Sequence, residues 1–299
     1  MRYLNREAFR KSASPHFYHG RSAIQLIFHN LLQFASFLKT PKPKKGILRA
    51  TRFLANSKKG KVALVLGSGP SLNTLNTTVL GDYIDDVFVI NAFNQLQVSR
   101  EIKPAYYGLS DPAHFGILSE EQSFERDQLL SYVKAVQATL VLPHFAHSSK
   151  IFNNFEKIFF DDRELTLFNR NLYPYKPRSY GSTTIYKMLA MAVFLGYEEI
   201  FILGFDNTNF LNYRGTPENL IQDIGGATAN RKTKLKSSFI SEFEKEFTSG
   251  MAGRMQSYAH LFGDLRKFKS FNITNLDPYS LTDAFPKVLN HPLVNRLNS

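Results

Sequence analysis

The segment Gly67-Ser68-Gly69-Pro70-Ser71 is the first place where residue type and spacing suggest chemistry. Glycines let a backbone turn sharply and approach a ligand closely. If a helix follows, its free N–H groups favour an anion there. Pro70 suits a first helical turn, and Ser71 can cap it. Without a third glycine this is not the dinucleotide fingerprint, and a tight structural turn is the plain alternative. Polar residues also stand where three other apolar runs end: Asn91 after VFVI, Asp111 after YYGLS and Asp206 after IFILGF. Open α/β sheets bind ligands at the carboxyl ends of their strands, so these residues and the glycine loop mark one crevice. Each of them alone would serve as a helix cap. The run Tyr180-Gly181-Ser182-Thr183-Thr184 precedes the clearest helical pattern. Ser182 or Thr183 is either the N-cap of that helix or a ligand contact. The general-base candidates are His114, His144, His147, His260 and His291. An imidazole can take a proton from a hydroxyl near neutral pH, although loop histidines commonly have no such role.

The elements that must position these groups read as alternating strands and helices. Short apolar runs, expected of buried parallel strands, lie at 61–66, 87–91, 105–111, 138–145, 199–206 and 271–277. Residues 183–197 form the clearest helix, with a stop at Gly196. Such alternation predicts an α/β fold with a mainly parallel sheet flanked by helices and right-handed crossovers. Residues 207–255 are polar and too long for an ordinary connection, so they read as a lid over a site or as a surface insertion.

Charge divides the chain of 299 residues unevenly. Residues 1–61 carry 14 Lys or Arg and one acid, Glu7, a net +13; the remainder carries 23 basic and 24 acidic residues, a net −1. The expected organisation is therefore a basic segment, 1–60, and a near-neutral body, 61–299. A body without basic excess argues against nucleic acid as a partner. In the basic segment, residues 22–38 read as an amphipathic helix, TPKPKKG as a linker that stops it, and ILRATRFL as a further apolar and basic stretch. The helix packs on the body or a second subunit, giving a homo-oligomer, or lies on an anionic membrane with lysines against the headgroups, or, as the remaining alternative, belongs to a nucleic-acid arm. No run approaches the roughly 20 apolar residues of a spanning helix. No signal-peptide core follows the charged first residues, and the expectation is a cytoplasmic protein, peripheral to the membrane in the second case. With no cysteine, disulfides, thiolate metal sites and thiol nucleophiles are excluded. There is no Asp-x-Asp, HExxH, EF-hand loop, P-loop or Gly-x-Ser-x-Gly elbow, and neither a metal nor a cofactor is expected.

In order, GSGPS, INAF, LSDPAHF, YGSTT before the AMAVFLGY helix, and ILGFD resemble the bacterial CMP-sialic-acid-dependent sialyltransferases of lipooligosaccharide synthesis. They are also similar to the motility-accessory-factor glycosyltransferases and the 6-hydroxymethylpterin pyrophosphokinase-like proteins. The resemblance covers roughly residues 61–285 and implies a Rossmann-like domain. It implies that Gly67, Ser68, Gly69, Pro70 and Ser71 line the nucleotide phosphate and ribose. It further implies that Asn91, Ser182 and Thr183 contact the nucleotide, and that Gly204 and Asp206 form a turn beside the base. Thr208, with Tyr213 or Arg214, falls where two tyrosines hold the leaving phosphate. Asp111 falls where the sialyltransferases have an asparagine near donor and acceptor. The family's catalytic lid histidine aligns with Gly253 or Arg254, and His260 lies about two helical turns later.

What the resemblance implies is a glycosyltransferase taking a CMP-linked sugar, sialic acid or a related acidic sugar, to a surface glycan or glycolipid in lipopolysaccharide or capsule assembly. A monophosphate leaving group agrees with the missing Asp-x-Asp. Asp111, His114 or His260 would be the base. The alternatives are a pyrophosphokinase needing ATP and Mg²⁺, with Asp111 and Asp206 as its candidate carboxylate pair, and a non-catalytic nucleotide-binding accessory protein.

Overall fold

The computed structural model describes residues 23–39, 42–110, 114–115, 120–163, 172–177, 184–206, 268, 270–280, 282 and 284–295. Its centre is a seven-stranded parallel sheet: β1 Val62–Leu66, β2 Asp86–Ile90, β3 Tyr106–Gly108, β4 Thr139–Pro143, β5 Lys157–Phe160, β6 Glu199–Leu203 and β7 Ile273–Asn275. The spatial order is β5-β4-β3-β2-β1-β6-β7, and every pairing is parallel. The six expected strands are present; five are shorter than expected, and β2 is shifted back by one residue. The sequence pattern did not reveal β5: KIFF has four residues and half of them are only partly buried.

Along β1, alternate side chains enter two different cores. Ala63 and Val65 pack with helix residues Ile185, Met188 and Leu189, while Leu64 and Leu66 pack with Leu129 and Val133. This is why VALVL is apolar at every position: both faces of a central parallel strand are covered. Helix α4 (Thr184–Leu195) supplies the first layer and helix α3 (Glu120–Val136) the second. Only Val193 of α4 escapes burial, and the helix ends at Gly196 with φ +86°, the left-handed conformation that favours glycine. The N–H groups of Asn56 and Lys58 donate to the carbonyls of Phe194 and Leu195, closing that helix end.

Before the sheet come helix α1 (Ala23–Leu38) and helix α2 (Lys42–Arg52). The first matches the expected amphipathic helix. The second corrects the linker reading, since helix begins inside TPKPKKG. Pro43 falls in the first turn, where a missing N–H costs no hydrogen bond. Leu48 is buried beneath α2, and the Thr51 hydroxyl donates to the Phe159 carbonyl of edge strand β5 at 2.7 Å.

Candidate functional site

The chain lays β2 to β5 on one side of β1, then crosses to lay β6 and β7 on the other. The loops leaving β1 and β6 therefore part at a topological switch point, the usual crevice of open α/β sheets. Gly67–Ser71 leaves β1 there and Gly204–Asp206 leaves β6 there.

These loops are bonded directly to each other. Gly67 N–H donates to the Leu203 carbonyl at 2.8 Å, and Gly69 N–H to the Gly204 carbonyl at 2.9 Å. The Ser71 Oγ accepts from Gly204 N–H at 3.0 Å and donates to Asp206 Oδ2 at 3.1 Å. Ser71 N–H donates to Asp206 Oδ1 at 3.2 Å. The glycines are explained by this closeness. A Cβ on Gly67 would stand 2.0 Å from the Gly204 oxygen, and one on Gly69 would stand 1.6 Å from Asp206 Oδ2. Gly204 itself has φ +76°.

Two expectations change here. The space beside Gly69 holds the chain's own carboxylate, not a gap for a ligand. Ser71 is not a cap: the turn from Pro70 to Thr74 is a five-residue 3-10 helix whose N-cap is Gly69. So short a turn, with the Ser71 N–H committed to Asp206, is not an anion-binding helix terminus.

Asp206 has a second partner. Its carboxyl is influenced by that of Asp277, just beyond β7, and both residues are buried. Burial, reinforced by the Asp277 carboxyl, pushes Asp206 up from 3.8 to about 6, against the opposing pull of Ser71. Two buried carboxyls that feel each other resist ionising together. Asp277 is held in turn: its N–H donates to Asn275 Oδ1 at 3.1 Å and its Oδ1 accepts from Tyr279 N–H at 2.9 Å. The Phe205 carbonyl accepts from the hydroxyls of Ser280 and Thr282 at 2.8 and 3.0 Å, so the loops after β6 and β7 are tied together. Among the described residues, the carboxyl that acts on Asp206 is that of Asp277. Asp111, the partner expected from sequence, lies outside the described residues.

A second polar group stands at the ends of β2 and β3. Thr184, the first residue of α4, has its Oγ1 2.6 Å from Ser110 Oγ and donates to Asn91 Oδ1 at 3.2 Å. Asn91 has φ +46°, tolerated by asparagine. The buried Tyr107 hydroxyl donates to the Asn91 carbonyl, and burial pushes that phenol's pKa far up, so it stays protonated. Gly108 lets α4 approach: a Cβ there would meet Met188 Sδ at 2.4 Å.

A third group, at the ends of β4 and β5, is an ion-pair cluster. Arg163 binds Asp161 through Nε at 2.7 Å and Nη2 at 2.5 Å. His144 Nδ1 lies 3.9 Å from Asp161, and Lys187 Nζ lies 3.0 Å from Asp162.

Of the expected site residues, Gly67, Ser68, Gly69, Pro70, Ser71, Gly204 and Asp206 line the switch point, and Asn91 follows the adjacent strand. His114 is half-buried and edge-on to Phe115, which packs on Phe145 and Phe152. His147 packs against Phe159. His291 packs on Phe201 of β6, and burial lowers its pKa. Ser182, Thr183, Thr208, Tyr213, Arg214 and His260 lie outside the described residues, as does all of 207–255 and its lid reading. The residues missed from sequence are Asp277 and Ser110. Asp277 ends the apolar run FNITNLD, so the strand-end rule that picked out Asp206 also applies to it.

No family profile matches this chain, and no curated protein matches it. Among solved structures it is similar to a Campylobacter jejuni sialyltransferase in complex with a substrate analogue, cytidine-5'-monophosphate. The identity is 16% and the TM-score 0.37, over 81% of this chain and 92% of that one. The α/β class rests on the sheet itself and not on that likeness.

Proposed function

We propose that the chain is a glycosyltransferase moving a sugar from a CMP-type nucleotide donor to a surface-glycan acceptor. The observation that carries this reading is the hydrogen-bonding rim at the switch point of an all-parallel sheet, where such sheets hold nucleotides. It agrees with the motif order read from the sequence. The Asp206–Asp277 pair accepts hydrogen bonds, which suits ribose hydroxyls or a base amino group and not a phosphate. The donor phosphate then falls to groups beyond β6, and Thr208, Tyr213 and Arg214 are the candidates to stabilise it as it leaves. The acceptor O–H attacks the anomeric carbon, the sugar–phosphate C–O bond breaks, CMP leaves, and Asp111 or His260 takes the acceptor proton. Closure of 207–255 would exclude water from the reacting carbon.

One observation favours a second reading, a Mg²⁺-dependent nucleotide pyrophosphokinase: two carboxyls, Asp206 and Asp277, stand together at neighbouring strand ends. They fit a metal poorly, because among the described residues no three His, Asp or Glu side chains come together.

A thermal-shift panel separates the readings. CMP and a CMP-sugar should raise Tm without Mg²⁺, and Asp206→Asn should diminish the shift. A shift from ATP that needs Mg²⁺, with none from CMP compounds, would replace the first reading with the second. No shift from any nucleotide would refute both.

A further inference from the structure

Helix α1 leaves most of its described apolar side chains exposed. Among the side chains described there, the buried one is polar, Asn30, and the Ser36 carbonyl accepts from Arg163 Nη1 at 3.2 Å. Its apolar side chains Ile27, Phe28, Leu31, Leu32, Phe34 and Leu38 are 37–61% exposed. At 100° per residue they cover one arc roughly 160° wide, which begins about 40° from Asn30. Together they expose apolar surface on the order of 500 Å², which is as large as the biggest patches of ordinary monomers and marks an interaction face.

Charge identifies the occupant. α1 contains no charged residue, yet it lies between Arg21 and Lys39, and Lys42, Lys44, Lys45, Arg49 and Arg52 follow within or at the start of α2. Arg49 and Arg52 are exposed. An apolar face flanked in sequence by cations fits a bilayer surface carrying anionic lipid, with acyl chains against the leucines and headgroup phosphates against the basic residues. The helix has 16 residues, about 24 Å at 1.5 Å each, which is short of a roughly 30 Å hydrocarbon core. Among the described residues no helix is long and apolar enough to cross a membrane.

We propose that α1 lies in the plane of an anionic membrane surface, its Phe28–Leu31–Leu32 face inserted and the basic residues that flank it on the headgroups. This docking goes beyond the transferase reading and does not depend on it.

The test is co-sedimentation of the full chain with vesicles of phosphatidylcholine alone or with phosphatidylglycerol, at low and high salt. Binding should require phosphatidylglycerol and weaken with salt. Leu31→Ser/Leu32→Ser should lower the partition coefficient roughly tenfold or more, because these side chains are already exposed and leave the fold intact. Arg49→Glu/Arg52→Glu, with the apolar face untouched, should also weaken binding. An unchanged Tm for both variants checks their folding. Failure of the natural chain to bind anionic vesicles overturns the proposal. So does undiminished binding by the leucine variant, or a dimer in solution that this variant splits without any vesicle binding.

Discussion

Asp277→Asn tests whether the carboxyl pair at the switch point shares a proton. Burial and the neighbouring Asp277 raise Asp206 from 3.8 to about 6. That displacement is about 2 pH units, or about 3 kcal/mol. The sign follows from which state gives up its proton first. Below pH about 4 both folded and unfolded chains keep the proton, and this stabilising term is fully present. As pH rises towards 6 the unfolded chain ionises freely while the folded one must charge a buried carboxyl, so stability is lost across that window. An asparagine at 277 keeps an Oδ1 for the Tyr279 N–H, and its Nδ2 can donate to the Asp206 carboxylate without a shared proton. Burial of Asp206, the largest cause of the shift, remains in the variant, so only part of the cost is relieved. The variant should gain about 1–2 kcal/mol on the natural chain between pH 4.5 and pH 7.5. Urea unfolding of both proteins at both pH values, followed by circular dichroism, measures this directly. If the difference between the two proteins is the same at both pH values, no proton is shared and the pair has been misread.

Two further substitutions probe the groups on either side of the crevice. Gly69→Ala puts a methyl 1.6 Å from Asp206 Oδ2, so the loop and the carboxylate must separate; a loss of about 1–3 kcal/mol is expected in urea unfolding. A variant as stable as the natural chain would show that the two loops do not pack as described. Thr184→Val removes the hydroxyl that joins Ser110 to Asn91 and should cost about 1–2 kcal/mol, with Thr184→Ser restoring most of it. Equal losses for valine and serine would mean that shape, not the hydroxyl, matters there.

The sheet was legible because a parallel strand covered on both faces must be apolar at every position, as VALVL and VFVI are. KIFF at β5 was not, because it is short and at the edge, where a continuous apolar run is not required. α2 was hidden because lysines and two prolines resemble a linker until the second proline, Pro43, falls in a helix's first turn. The strand-end rule found Asp206 and Asn91, yet it could not say what each would face. A missing Cβ is the same sequence signal whether it makes room for a ligand or for the chain's own carboxylate. Gly69 belongs to the second case, and only the distance to Asp206 decides it.

That outcome changes how a nucleotide would be held. Ser71 spends both its N–H and its hydroxyl on Asp206, and Gly67 and Gly69 spend their N–H groups on the β6 loop. A phosphate placed at that corner would have to compete with a carboxylate already occupying the donors, and would stand beside a second carboxyl. A hydroxyl or amino group would instead find acceptors fixed in place, with their own positions held from three strand ends. On the transferase reading, the same residues that suggest a phosphate loop in sequence would thus form the neutral-ligand end of the crevice. On that reading, recognition of the phosphate would have to come from cationic or hydroxyl groups beyond Asp206, and Thr208, Tyr213 and Arg214 follow it in the chain. The corner and the phosphate groups can therefore be separated experimentally. Asp206→Asn should weaken a nucleoside and its monophosphate alike, whereas Arg214→Ala should weaken the monophosphate alone.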